Sequence, residues 1–123
     1  MDFRIDVRRD NGYTVVAPFG EIDLATSQQL KEVIGDLLVD GDIHLVVDLS
    51  GVEFIDSTGL GALIGGRRKA HGFKGSFGLV CCEDQLLRIF VITGLDKIFS
   101  ISATLDEALA RPITAGSLEE QPA

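Results

Sequence analysis

Only two cysteines occur in the 123 residues, and they are neighbours, Cys81 and Cys82. A vicinal pair does not easily reach relaxed disulfide geometry, and a metal site needs more ligands nearby. Reduced, strand-borne thiols are therefore expected, with no metal and no cofactor. Long apolar runs are missing as well: none approaches the ~18 residues of a membrane helix. The opening Met1-Asp2-Phe3-Arg4 does not have the form of a signal peptide. A cytoplasmic location without a membrane partner is the expectation. Positive charge is scarce, with 11 Lys and Arg against 19 Asp and Glu, a net charge of −8. Nucleic acid wants a basic stripe. The only basic cluster, Arg67-Arg68-Lys69, falls in the last turn of an expected helix, where cations suit the dipole. Such acidity points instead to a solution partner with positive charge at its contact face.

What is present reads as one globular domain, 46% hydrophobic and 24% charged. Phe3, Ile5 and Val7 alternate with polar residues, Asn11-Gly12 marks a turn, and Tyr13 to Phe19 reads as a second strand of a hairpin. Leu30, Val33, Ile34, Leu37 and Leu38 keep helical spacing, capped by Asp23 or by Thr26 with Gln29. The apolar run from Ile43 to Val47 reads as a strand covered on both faces. A helix from Ser57 to about His71, a strand at Phe77 to Cys82, and a helix carrying Leu86, Ile89 and Phe90 follow. Lys97 to Ile101 reads as a short strand. Thr104 and Glu107 open a last helix bounded by Pro112. The alternation predicts an α/β fold: a mixed sheet of four to five strands with an opening hairpin and about four packed helices. Residues 112–123 are polar and are expected to form a disordered tail.

The richest stretch is Asp56-Ser57-Thr58-Gly59-Leu60-Gly61. It follows a strand and opens a helix, so Ser57 stands where backbone N–H groups lack partners and the dipole is positive. A serine there caps the helix or carries a phosphate that the terminus accommodates. The helix also holds Gly59, Gly61, Gly65 and Gly66, each unfavourable by roughly 0.5–1 kcal/mol relative to Ala. Helical geometry puts Leu60, Leu63 and Ile64 on an expected core face. Ser57, Gly61 and Gly65 share another face, continued by Arg68. That stripe is either a docking groove for a partner or a seam packed against the protein's own elements.

Catalytic readings fail on placement. A nucleophile elbow needs a glycine at position 55, where Ile stands. His44 lies in an expected strand and His71 roughly 20 Å along the helix from Ser57, so neither is placed as its base. No Gly-Lys-Ser/Thr completes a phosphate loop. No enzymatic activity is expected.

Gly20-Glu21-Ile22-Asp23, His44 to Leu49, Phe54-Ile55-Asp56-Ser57-Thr58-Gly59-Leu60-Gly61 and Ile92 to Phe99 occur in that order. Together they resemble bacterial anti-sigma factor antagonists of the STAS-domain family, the Asp-Ser-Thr-Gly-Leu block being the most specific piece. The resemblance implies a single STAS domain over residues 1–111. It implies a partner-switching regulator: the unphosphorylated antagonist binds an anti-sigma factor that is itself a serine kinase, freeing the sigma factor, and a serine phosphatase reverses the phosphorylation. Carried over, the phosphoacceptor is Ser57, and Asp23 matches a position beside it that helps partner contact. Asp56, Thr58, Gly59, Gly61 and Gly65 complete the expected partner-binding set. A STAS scaffold, or an accessory subunit of a stress-signalling assembly or membrane transporter, is the alternative, and a nucleotide-binding enzyme the more distant one.

Overall fold

A short turn with positive φ at both residues, Asn11 (55°) and Gly12 (84°), folds the chain's first two strands onto each other. β1 (Arg4–Asp10) thereby lies antiparallel to β2 (Tyr13–Ile22). The computed structural model describes residues 2–113; the expected tail lies outside the described residues from position 114 on.

β2 is long and changes neighbours part-way. Thr14 to Val16 pair in parallel with β3 (His44–Asp48), whereas Gly20 to Ile22 pair in parallel with β4 (Val52–Ile55). The change occurs at an irregularity between Gly20 and Glu21, where Gly20 takes φ 112°, a value suited to glycine. Its N–H donates to the Gly51 carbonyl at 3.0 Å. β5 (Ser76–Val80) and β6 (Ser100–Ser102) complete a sheet ordered β1-β2-β3-β5-β6, with β4 off that path against β2. The class is the expected mixed α/β. β4 is a strand more than the spacing suggested, because its four residues lie between a turn and a helix start.

Three helices cross between strands, α1 (Leu24–Val39), α2 (Ser57–Gly72) and α3 (Asp84–Ile92), and α4 (Leu105–Leu109) follows the last strand. The first three cover one face. Leu45, Val47 and Leu79 of the strands pack there with Leu30, Ile34, Leu63 and Phe90. The alternate strand residues, Val15, Val46 and Val80, meet Ala108 and Leu109 of α4 on the other. Both faces of β3 are covered, as its unbroken apolar run requires.

Two local expectations need correction. Lys97 to Ile101 is not one strand: a 3₁₀ turn at Leu95–Lys97 follows Gly94, and the strand begins only at Ser100. The buried side of α2 is Gly59, Ala62, Leu63, Gly66 and Ala70, whereas Leu60 and Ile64 are only partly buried at its margin. The inward side is thus rotated toward the small residues, because α2 lies close enough to its neighbours that bulky side chains fit only at Leu63. Thr104 caps α4 by accepting from the Glu107 N–H, but the Glu107 carboxylate reaches back to the Ala103 N–H rather than to the cap's own.

Candidate functional site

Ile22 and Ile55 are register partners at the ends of two neighbouring parallel strands, and the Asp56 N–H donates to the Ile22 carbonyl at 3.1 Å. Each strand runs straight into a helix, so Asp23 and Asp56 stand side by side as the N-caps of α1 and α2. The α1 cap is reciprocal. Asp23 accepts from the Thr26 N–H at 3.0 Å, and the Thr26 hydroxyl accepts from the Asp23 N–H at 2.8 Å. Of the two caps the spacing allowed, Asp23 is therefore used, with Thr26 rather than Gln29 as its helper.

At α2 one carboxylate oxygen of Asp56 accepts from the Thr58 N–H at 2.9 Å and the Gly59 N–H at 3.1 Å, and also from the Thr58 hydroxyl. The capping work at this helix falls to Asp56, so Ser57 is not the cap. Ser57 is the first residue of the helix and exposed. Among the described residues its hydroxyl makes no hydrogen bond. Two hydroxyls stand next to each other here, and they differ: that of Thr58 is tied to the cap, that of Ser57 is available.

Both caps are held as anions. The Thr58 hydroxyl, then the Gly59 N–H, keep the Asp56 carboxyl below its ordinary range, opposed weakly by the charge of Asp23. The Thr26 N–H and then its hydroxyl do the same for Asp23. Each helix start thus already carries a negative charge beside Ser57. Two large apolar side chains flank the pair in solvent, Leu24 at 66% exposure and Phe54 at 49%. Sequence spacing did not single them out. The only available signal was that each adjoins a motif residue where its neighbours Ile22 and Ile55 already supply the core.

The glycines of α2 divide. Gly59 is buried, and a Cβ there would stand 2.5 Å from Ile55 Cγ1 and 2.7 Å from Ile22 Cγ2. It serves the packing of the protein's own interior, unlike an open surface position. Among the described residues, Gly61 and Gly65 have nothing within 4 Å of where a Cβ would be. They border an open hollow of about 240 Å³ between α1 and α2, rimmed by Lys31 and Lys69. No described residue of the protein packs on these two positions as a seam would. The thiols are both free: Cys81 is buried, which pushes its titration upward, and Cys82 is exposed.

The model for the STAS domain matches residues 4–108. The chain belongs to the STAS-domain family. This STAS domain is 40% identical over 105 residues to the anti-sigma-F factor antagonist RsfB of Mycobacterium tuberculosis, covering 85% of each chain. It is 35% identical over 103 residues to the anti-sigma-B factor antagonist of Bacillus subtilis, covering 84% of this chain and 94% of that one. A crystal structure of an anti-sigma factor antagonist from Mycobacterium paratuberculosis matches with a TM-score of 0.80 at 39% identity, over 88% of this chain and 92% of that one. The curated relatives are thus regulatory proteins in name, and the resemblance carried by the Asp56-Ser57-Thr58 block extends across nearly the whole domain. Among the described residues, no helix of the STAS domain is long and apolar enough to cross a membrane.

Proposed function

We propose that this STAS domain is an anti-sigma factor antagonist switched by phosphorylation of Ser57. Unphosphorylated, it binds a serine-kinase anti-sigma factor and so releases a sigma factor. The kinase phosphorylates Ser57 and ends the binding, and a serine phosphatase restores it. The observation that carries this reading is the unbonded Ser57 hydroxyl at the first position of α2, beside a Thr58 hydroxyl already committed to Asp56.

The physics of the switch is local. A phosphate adds about −1.5 to −2 charges at neutral pH. The helix start attracts it by ~0.3–1 kcal/mol, enough to leave the domain folded, since Asp56 keeps the cap. The same group stands beside Asp23 and Asp56 and among the exposed Leu24 and Phe54. At a docked interface it would bury uncompensated charge against a surface made for a neutral hydroxyl, and each ~1.4 kcal/mol lost is tenfold in affinity. No refolding is required.

The test is phosphorylation by an anti-sigma kinase of the relatives' type with ATP, followed by mass-spectrometric mapping. Phosphate on Ser57 is expected; phosphate on Thr58 with Ser57 unmodified would sink the assignment. In calorimetric titrations Ser57→Ala should bind the kinase like the wild type and Ser57→Asp at least roughly tenfold more weakly. Equal affinities of the two variants would exclude the charge mechanism.

A further inference from the structure

β6 pairs with β5 only at Gly78, Leu79 and Val80, so the first residues of β5, Ser76 and Phe77, have no strand on that side. The uncovered edge opens into a cavity of about 320 Å³. That is the lower end of the size range of small-molecule sites. Its polar lining combines basic side chains with hydroxyls. Arg67 and His71 come from the last turns of α2 and Arg111 from just beyond α4, with hydroxyls from Ser76, Ser100 and Ser102.

Not one of the described lining residues is Asp or Glu, in a chain with 19 of them. Neither Arg67 nor Arg111 has a carboxylate within ion-pair distance among the described residues. Arg111 instead donates to the Ser100 hydroxyl, which holds its guanidinium at the cavity wall. The arginines of the opening hairpin are placed differently: Arg9 pairs with Asp42 at 2.7 Å, and Arg4 and Arg8 lie beside Asp6 and Asp10. Two guanidiniums lining one hollow offer forked N–H donors that suit a carboxylate or a phosphate. The rest of the wall is mainly apolar, with Phe77 and the half-exposed Ile98 among its residues. Gly78 leaves the strand bare at the centre, where a Cβ would come no nearer than 3.6 Å to the Ser100 carbonyl.

We infer that this cavity binds a small organic anion, a carboxylate or phosphomonoester with an apolar body. Arg67 and Arg111 hold the charged head, the Ser100 hydroxyl beside Arg111 adds a polar contact to it, and Ile98 with the edge of Phe77 takes the body. The site is separate from Ser57: Arg67 lies ten residues further along α2, roughly 15 Å at the helical rise. The inference does not depend on the phosphorylation switch and goes beyond it.

The probes are phenyl phosphate, benzoate, inorganic phosphate and, as a neutral control, phenol, each titrated into the full ¹⁵N-labelled chain. Phenyl phosphate or benzoate should shift the amides of Gly78, Ser100 and Arg111 saturably, whereas phenol should not. Whichever of the two binds tighter assigns the head group, and inorganic phosphate reads the head alone. Arg67→Gln and Arg111→Gln should each weaken that binding on the order of tenfold, since hydrogen bonds to charged groups contribute about that much. Three results would overturn the inference: no saturable shift with either aromatic anion, shifts centred on Ser57 instead, or affinity unchanged in both Gln variants. A fourth is binding seen only after Glu119→Gln and Glu120→Gln, which would mean that the cations serve the chain's own carboxylates.

Discussion

On the inner side of α2, Gly59 and Gly66 touch their surroundings so closely that a single carbon would not fit freely; on the outer side, Gly61 and Gly65 face open space. The two pairs are alike in sequence, and both lower helix propensity. Inside, the loss is offset by close approach. Gly59 lets the helix start lie against Ile22 and Ile55, the residues that bring Asp23 and Asp56 together, and Gly66 makes room for the Phe77 ring and Ile34. Outside, nothing within the described residues offsets it. A glycine that serves neither packing nor a turn, lying on the face that leads from Ser57, is what a docking groove requires. The inner pair holds α2 against its neighbours, and the outer pair leaves an open face among the described residues.

The sharpest way to break that comparison is Gly59→Ala. The added Cβ would overlap Ile55 and Ile22, so stability should fall by ~1–3 kcal/mol, read from denaturant midpoints. An unchanged midpoint would show that the inner glycine is dispensable. Gly66→Ala should be milder. Its contacts are 3.0 Å and 3.2 Å to the Phe77 ring and 3.3 Å to Ile34, so those side chains must give by a few tenths of an ångström. A loss below about 1 kcal/mol is expected, the propensity gain offsetting part of the crowding.

The outer pair should respond with the opposite sign. Gly61→Ala and Gly65→Ala should each raise stability by ~0.5–1 kcal/mol, since helix propensity improves and nothing is crowded. Gly61→Leu and Gly65→Leu should stay folded yet weaken binding to the anti-sigma partner. A lowered melting temperature with unchanged affinity would refute the groove.

The smallest effect is acid sensitivity at the helix start. The carboxyl of Asp56 is lowered from 3.8 in the folded protein, so it favours folding above its unfolded value, and this contribution is lost as pH falls through the folded value. Asp56→Asn keeps a capping oxygen but does not titrate. Thermal melts taken below about pH 4 should therefore decline less steeply for the variant, with the distant Asp42 titrating equally in both. Equal slopes would mean that the Asp56 carboxylate is not held by Thr58 and Gly59.

The sequence by itself determined the layered α/β class, the hairpin at Asn11-Gly12, the covered strand at Ile43 to Val47 and the start of α2 at Ser57, because each rests on local chemistry. Periodicity, turn residues and caps act within a few positions of themselves. It also determined the family, through motifs spread along nearly the whole domain. The tertiary structure alone decided which hydroxyl is free, because the capping role passed to Asp56 and bound Thr58 with it. It decided that Gly59 packs inward while Gly61 and Gly65 do not, a distinction of helix rotation set by how near Ile22, Ile55 and Phe77 lie. And it gathered Arg67 and Arg111 at one uncovered strand edge from positions 44 residues apart (111 − 67), since only the short β6 leaves that edge open. Contacts between distant segments depend on where the sheet brings them, and no local pattern in the chain encodes that.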